Sequence, residues 1–220
     1  MRHMGRDRVH PIEVESLQIL AARVDLDGLP PLSRAVTERI IHAAADPRYA
    51  EDLVLDEAAL VRGWHALAAG APIVADSRMV AAGITTTDVE VPLTDQRVTG
   101  RAAAGGTTRS AAAVELAAAE VGPGAVWVVG NAPTALDAVL AHAVDPALVV
   151  GLPVGFVGAV ESKTALRASG LPAVSNLSEL GGSAVAAAAV NALLYTSSPN
   201  PDHLGATQTG PTTPTEETSL

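Results

Sequence analysis

The sequence predicts an α/β fold with a mainly parallel sheet, and two observations support this prediction. Three short apolar runs, at residues 125–129, 147–152 and 172–176, have the length and composition of fully buried parallel strands. Each run leads through a glycine-containing loop into a segment whose apolar residues have helical spacing. The second half of the chain therefore predicts repeated strand–helix units, the order that a parallel sheet requires.

The elements before these units are predicted from spacing and end signals. Helices are predicted over 12–25, 33–46 and 56–70, and the first buried strand over 71–76. Ser33 can cap the second helix, and Gly70 ends the third. Residues 71–76 predict a strand because they are short, contain β-branched residues and end at Asp76.

The middle of the chain gives mixed signals. Residues 77–83 predict a short helix, and residues 85–95 predict an extended stretch. Residues 107–120 predict a helix in which Thr107 or Thr108 is the cap and Arg109 lies in the first turn. A cation in a first turn opposes the helix dipole, and an anionic ligand would explain it.

Composition excludes several classes of protein. The chain has 220 residues, a net charge of −10 and no cysteine, so a disulfide-rich secreted scaffold is excluded. The excess of acidic residues argues against a general nucleic-acid surface, which needs a basic face. Apolar stretches are too short and too interrupted for a membrane span, and the polar start does not resemble a secretory signal. We expect a cytoplasmic protein.

The chain is predicted to form one folded domain. Residues 1–8 are expected to be flexible, residues 9–195 to form the domain, and residues 196–220 to form a disordered tail rich in Thr, Pro and Ser. At this length one core suffices without a structural metal.

Three glycine-containing loops follow predicted strands, at residues 130–134, 151–158 and 181–183. Ordinary turns explain any one of them, whereas three together favour a binding rim at the carboxyl ends of the strands. None matches a dinucleotide or P-loop motif, so a nucleotide-binding domain has little support. The sequence leaves open the possibility that backbone amides of these loops hold an anionic ligand.

Metal and covalent chemistry have little support in the sequence. The histidines show no zinc-binding spacing, and Ser110 and Ser183 lie outside the G-x-S-x-G motif of hydrolases. His42 is a side chain that could transfer a proton near neutral pH, and Arg39 is its i, i+3 neighbour. A hydrogen-bonded, partly buried histidine without a catalytic role is the alternative.

Seven blocks, in this order, resemble the precorrin-8X methylmutase family: HPIEVESLQIL, TERIIHA, DSRMVAAGI, TRSAAAVELA, VVGNAPTAL, VGLPVGFVGAVESKTAL and GGSAVAAAAVNALL. The resemblance extends from about Val9 to Tyr195, and GNAPTAL and GLPVGFVGAVESK are its most specific blocks. It implies a three-layer α/β/α fold and a homodimer with active sites near the subunit interface. It also implies an isomerase of cobalamin biosynthesis that moves a methyl group between adjacent macrocycle carbons of precorrin-8X, or of its cobalt form.

The resemblance implies a set of site residues, and it implies neither a metal nor a cofactor. The family's proton donor is the histidine of an R-x-x-H-A block, which is His42 here. The acidic side chains of a tetrapyrrole substrate require nearby hydrogen-bond donors. The expected substrate-binding residues are Ser16, Arg39, Arg109, Ser110, Asn131, Lys163, Gly181, Gly182 and Ser183.

Two positions depart from the family pattern. Residues 85–87 are threonines where members often have basic residues, and Leu180 stands where Lys or Arg is expected. Both changes remove positive charge from the expected carboxylate contacts. They motivate an alternative, a corrinoid-binding protein without turnover. The sequence leaves open whether the substrate carries cobalt.

Overall fold

A computed structural model describes residues 11–197 and contains one five-stranded sheet in the order β1-β5-β4-β3-β2. The strands are β1 (Leu53–Leu55), β2 (Ile73–Ala75), β3 (Val126–Val129), β4 (Leu148–Gly151) and β5 (Ala173–Asn176). Strands β2 to β5 pair in parallel, and β1 pairs antiparallel with β5 at the edge. The predicted α/β class with a mainly parallel sheet is confirmed.

Helices cover both faces of this sheet. They are α1 (Pro11–Ala21), α2 (Pro31–Ala44), α3 (Tyr49–Asp52), α4 (Glu57–Ala68), α5 (Arg78–Gly83), α6 (Arg97–Gly105), α7 (Arg109–Val121), α8 (Pro133–His142), α9 (Ala159–Ala168) and α10 (Ser183–Tyr195). Val126 and Val128 of β3 face a core formed with α2, α4 and α10. Trp127 and Val129 face a second core formed with α7, α8 and α9. This alternation along one strand separates the two faces and gives the three predicted layers.

Helix α10 is the most buried helix of its layer. Its sequence is apolar on all sides, and every residue from Val185 to Leu194 is buried. It packs closely on α5 because Gly83 lacks a side chain: a Cβ atom there would lie 2.6 Å from the Cβ of Ala187. Helix α10 therefore connects the carboxyl edge of the sheet, where it begins, with α2.

Strand β2 is the first buried strand of the chain, as predicted for residues 71–76, but it is preceded by β1, which the sequence did not predict. Strand β1 has three residues, and Val54 is exposed while its two neighbours are half-buried. A short, half-exposed strand at an edge lacks the apolar run that identifies a buried strand. Helices α3 and α6 were also not predicted, and the side chains of the residues preceding them form no capping hydrogen bond.

The extended stretch predicted over 85–95 is largely wrong. Within it, Glu90 forms a single parallel bridge with Val74, and Pro92–Thr94 forms one 3₁₀ turn. Thr108 is the cap of α7, as predicted, and its hydroxyl accepts from Ala111 N.

Ser33 is not a helix cap, since α2 begins two residues earlier at Pro31. Proline is favoured at a first helical position. The carboxylate of Glu57 accepts from the amides of Leu32 and Ser33 and from the Ser33 hydroxyl, at 2.7 to 2.9 Å. The capping acceptor thus comes from the start of α4, which local sequence does not reveal.

The C-terminal boundary lies beyond Tyr195. Thr196, which the sequence assigns to the tail, is buried, and its carbonyl accepts a 2.8 Å hydrogen bond from Trp64 Nε1. Residues 1–8 and the tail after residue 197 lie outside the described residues. Between residues 11 and 197, no helix is both long enough and apolar enough to cross a membrane.

Candidate functional site

His42 lies near the end of α2 and contacts α1. Its Nδ1 lies 2.7 Å from Ser16 Oγ. His42 and Ser16 are both half-buried. Since Nδ1 is engaged by the hydroxyl, Nε2 is the ring nitrogen left for a ligand. Two of the predicted site residues are therefore in direct contact.

Arg39, one helical turn before His42, is paired within the protein. Its Nη1 lies 2.5 Å from Glu13 Oε1, and its guanidinium lies over the ring of Tyr195, 5.1 Å from the centroid. Glu13 and Ser16 are i, i+3 on α1, just as Arg39 and His42 are on α2. Arg39 of α2 therefore pairs with Glu13 of α1, and His42 pairs with Ser16, at the same spacing on both helices. Sequence reasoning missed Glu13, although its spacing from Ser16 matched that of Arg39 and His42.

A cleft of about 290 Å³ opens beside His42. It is lined by Ile12, Glu15, Ser16, Ile19, Leu20, Arg23, Val24, Ile41, His42, Ala45 and Pro47. Most of this surface is apolar, and Ile12 and Ile19 are exposed. His42 therefore lines a mostly apolar cleft.

Thr85, the first of the three threonines that depart from the family pattern, lies next to this group. Its hydroxyl is 2.6 Å from the Tyr195 hydroxyl, and its amide donates to Asn191 Oδ1 at 3.4 Å. Because Tyr195 also lies under Arg39, the departure is close to the predicted site residues. We name Glu13, Ser16, Arg39, His42 and Tyr195 the histidine cluster.

Asp76 follows β2 and organises the loop after β3. Its buried carboxylate accepts from the backbone amides of Gly130, Asn131 and Ala132, at 2.7 to 3.3 Å. Burial raises the pKa of this carboxyl, and the three amides oppose that shift. These three amides donate to Asp76, so they are not free to hold an anionic ligand.

Asn131 connects this loop with two other elements. Its Oδ1 accepts from the hydroxyls of Ser77 at 2.7 Å and Ser183 at 2.6 Å. Sequence analysis predicted Asn131 and Ser183 as site residues but missed Asp76 and Ser77. The position of Asp76 directly after a parallel strand was the available signal. We name Asp76, Ser77, Asn131 and Ser183 the asparagine cluster.

Gly181 and Gly182 pack against the loop after β4. Gly182 N donates to Leu152 O at 2.9 Å, so this amide is used within the protein. Gly181 has a φ of +152°, and a Cβ atom there would lie 2.3 Å from Leu152 O. Position 181 therefore requires glycine because two loops meet there. Both glycines shape the start of α10.

Lys163 is fully buried and donates within the protein. Its Nζ contacts Asn176 Oδ1 at 2.9 Å, Leu180 O at 2.8 Å and Ser178 O. Burial lowers the pKa of Lys163 to about 8. All three protons of the ammonium have protein acceptors, so Lys163 is not placed to contact a substrate, contrary to the expectation from the sequence. It holds the loop that leads into α10.

Asp52 holds the same loop from the other side. Its carboxylate accepts from Asn176 Nδ2, Ser178 N and Ser178 Oγ, at 2.7 to 2.8 Å. Leu180, the second departure from the family pattern, takes part through its carbonyl, which accepts from Lys163.

Arg109 is exposed at the first position of α7, as predicted. It lines a cleft of about 570 Å³ with Ser77, Arg78, Met79, Leu93, Thr94, Asp95, Gln96 and Thr99. Within residues 11–197, neither Arg78 nor Arg109 forms an ion pair or a hydrogen bond through its side chain. Ser110 is half-buried beside Arg109. The cleft thus presents two guanidinium groups to solvent.

The two clusters lie at opposite ends of α10. Ser183 is the first residue of this helix and Tyr195 the last. A rise of 1.5 Å per residue separates them by about 18 Å along the helix axis. The cleft beside His42 and the cleft beside Arg109 have no lining residue in common. One chain therefore presents two separate clefts.

Comparison with known proteins gives consistent matches over this whole region. A family model described as precorrin-8X methylmutase matches residues 11–196. The cobalt-precorrin-8 methylmutase of Salmonella typhimurium is 42% identical over 196 residues, which are 84% of this chain and 93% of that protein. The precorrin-8X methylmutase of Pseudomonas aeruginosa is 42% identical over 191 residues, 81% of this chain and 91% of that protein. A crystal structure of the precorrin-8X methylmutase of Thermus thermophilus superposes with a TM-score of 0.76 at 36% identity, covering 84% of this chain and 96% of that chain.

Proposed function

Because this chain belongs to the precorrin-8X methylmutase family, we infer that it is an isomerase of cobalamin biosynthesis acting on precorrin-8X or cobalt-precorrin-8. It moves a methyl group between adjacent carbons of the macrocycle and gives hydrogenobyrinate or its cobalt counterpart. The alternative, a corrinoid-binding protein without turnover, is not favoured, because the relatives with which it shares 42% identity are named as methylmutases.

We assign His42 the role of proton donor. The contact between Ser16 Oγ and His42 Nδ1 is the observation that supports this most strongly, since it orients the ring and leaves Nε2 for the substrate. During the reaction one bond to the methyl carbon breaks and another forms on the neighbouring ring carbon. A proton from Nε2 stabilises the conjugated ring while the methyl group migrates. The product is an isomer, so the ring later releases one proton in exchange.

The peripheral carboxylates of the substrate need cationic partners. Arg109 and Arg78 face solvent in one cleft and can each bind a carboxylate through two hydrogen bonds. Arg39 is already paired with Glu13, so it can bind a substrate carboxylate only if its guanidinium contacts Glu13 and the substrate at the same time. We therefore propose Arg109 as the stronger substrate contact of the two predicted arginines.

We propose that the enzyme is a homodimer in which each active site combines the histidine cluster of one protomer with the Arg109 cleft of its partner. The separation of about 18 Å along α10 supports this arrangement. Exposed apolar residues on both surfaces support it as well. Met79, which lines the cleft beside Arg109, is 63% exposed, and Ile12, which lines the cleft beside His42, is 68% exposed. Such side chains are typical of surfaces that a second copy covers.

Turnover assays test the proposed reaction. The purified protein is incubated separately with cobalt-free precorrin-8X and with cobalt-precorrin-8, and the visible spectrum and the product mass are recorded. Conversion to a product of unchanged mass and altered spectrum is expected with at least one form. Tight binding without conversion would support the corrinoid-binding alternative. Thermal stabilisation by nucleotides but not by either corrinoid would contradict both.

Co-expression of two inactive variants tests the shared active site. A His42→Ala chain and an Arg109→Glu chain are each expected to be inactive alone. In mixed dimers one site would combine an intact His42 with an intact Arg109, so co-expression is expected to restore about a quarter of the parent activity. No recovery in dimers shown to be mixed would contradict a shared site. A monomeric parent in sedimentation would contradict the dimer itself.

A further inference from the structure

The side-chain amide of Asn131 is held in one orientation. Its Oδ1 accepts from Ser77 Oγ at 2.7 Å and from Ser183 Oγ at 2.6 Å. An amide oxygen has two acceptor positions, and the two hydroxyls fill both. Among the described residues, the Nδ2 group of Asn131 has no hydrogen-bond partner, and the side chain is half-buried. Its two donor hydrogens are therefore available to a ligand.

The surroundings of Asn131 are rigid. Asp76 accepts from Asn131 N at 2.7 Å and from the two neighbouring amides, which fixes the backbone. Ser77 is buried, and its hydroxyl also accepts from Val80 N as the cap of α5. A Cβ atom at Gly130 would lie 3.0 Å from Ser183 Cα, so the loop and the start of α10 are in close contact. Both hydroxyls thus come from ordered elements.

We propose that Ser77 and Ser183 are positioning residues that orient Asn131, and that Asn131 Nδ2 donates a hydrogen bond to a carboxylate or carbonyl oxygen on the periphery of the substrate. Ser77 also lines the cleft that contains Arg78 and Arg109, so the donor lies at the edge of the surface assigned to the carboxylates. This inference rests on the proposed function. It changes the role expected for Ser183 from direct contact with the substrate to support of Asn131.

A double-mutant cycle between Ser183 and Asn131 tests this role. Ser183→Ala is expected to raise KM several-fold with little change in kcat, and Asn131→Ala to raise KM by roughly 10- to 100-fold, the value of one hydrogen bond to a charged group. The double variant is expected to be no worse than Asn131→Ala, because Ser183 acts through the missing amide. If the fold increases in KM of the two single variants multiply in the double variant, Ser183 contacts the substrate itself. That result would overturn the proposal.

Two further variants separate positioning from loss of stability. Ser77→Thr keeps the hydroxyl and is expected to keep KM near the parent value, whereas Ser77→Ala is expected to raise it. Ser169→Ala removes a hydroxyl that donates to Leu166 O at the end of α9, and it serves as the control for hydroxyl removal outside the site. An equal rise of KM in Ser169→Ala would attribute the effect to general destabilisation.

The ligand-free protein provides a measurement that does not depend on turnover. In NMR spectra the side-chain amide of Asn131 is expected to give one ordered pair of resonances in the parent. In the Ser77→Ala, Ser183→Ala double variant these resonances are expected to shift and broaden. Unchanged resonances would overturn the positioning role even if the enzyme is active. If the parent is inactive in the turnover assay but the resonances of the double variant shift and broaden as expected, the result counts against the proposed function and not against the positioning role.

Discussion

Ser16 Oγ and His42 Nδ1 lie 2.7 Å apart, and the two side chains come from α1 and α2. The sequence indicated a substrate contact for Ser16, whereas the structure shows a partner for the imidazole. A hydrogen bond at Nδ1 limits rotation of the ring and selects which nitrogen faces the ligand.

Ser16→Ala is therefore expected to lower kcat by about 10-fold while KM changes little, because an unheld ring spends less time in the productive orientation. Ser16→Thr keeps the hydroxyl and is expected to retain most of the activity. Steady-state kinetics of both variants measures this. A rise in KM with unchanged kcat would return Ser16 to the role of substrate contact.

Arg109→Ala is expected to raise KM by about 10-fold or more, since a charge-assisted hydrogen bond to a carboxylate is lost. Its free energy of unfolding is expected to stay the same or to rise slightly, because the variant removes a cation from the first turn of α7. Substrate titration and urea unfolding measure the two effects. Unchanged affinity would contradict the assigned contact, and a large loss of stability would indicate a structural role.

Lys163→Met is expected to lower the free energy of unfolding by about 1 to 3 kcal/mol, because the buried Asn176 Oδ1 and two half-buried carbonyls lose their charged donor. Arg62→Met serves as the control, since Arg62 is exposed and a surface substitution changes stability by less than about 0.5 kcal/mol. Urea unfolding of both variants provides the comparison. Equal small effects would show that Lys163 does not hold the loop.

Tyr49 makes the free energy of unfolding depend on pH in the alkaline range. Tyr49 is buried, and burial raises the pKa of its hydroxyl from 10.0 to about 12. The unfolded chain loses this proton near pH 10, while the folded chain keeps it until about pH 12. The contribution of Tyr49 is therefore fully present below pH 10 and decreases as the pH rises towards 12.

Tyr49→Phe removes this titration. The parent is expected to lose about 2 kcal/mol more stability than the variant between about pH 9 and pH 11.5. Urea midpoints of both proteins at the two pH values measure the difference. Parallel losses in parent and variant would contradict the assignment, since other groups would then explain the pH dependence.

The strand–helix units from β3 to α10 were predictable because each strand is a short apolar run and each helix has apolar spacing. Strand β1 was not, since an edge strand of three residues pairs with β5, over a hundred residues away, and carries little local pattern. The cap of α2 was assigned to Ser33 for the same reason: its actual acceptor, Glu57, lies on another helix.

The candidate site shows the same limit. Residue types with obvious chemistry, such as His42 and Arg109, could be selected from the sequence and the family blocks. Their partners could not, because the pairing of Glu13 with Arg39 and of Ser77 with Asn131 depends on packing between distant elements. Lys163 shows the opposite error: its charge suggested a substrate contact, and its complete burial could not be read from the sequence.

The central claim is that His42 supplies the proton for the methyl shift. His42→Ala is expected to bind the substrate about as well as the parent, because no carboxylate contact is removed. Its turnover is expected to fall by roughly 10²- to 10⁴-fold, the usual contribution of a positioned acid. His42→Asn is the sharper variant, since it keeps a hydrogen-bond donor of similar size that does not release a proton.

The most direct measurement is the rate of isomerisation at saturating substrate in His42→Asn compared with the parent. We predict a rate at least about 100-fold lower in the variant, with substrate binding retained in an equilibrium titration. A rate within a few-fold of the parent would contradict the account, because His42 would then only orient the substrate and another group would have to supply the proton.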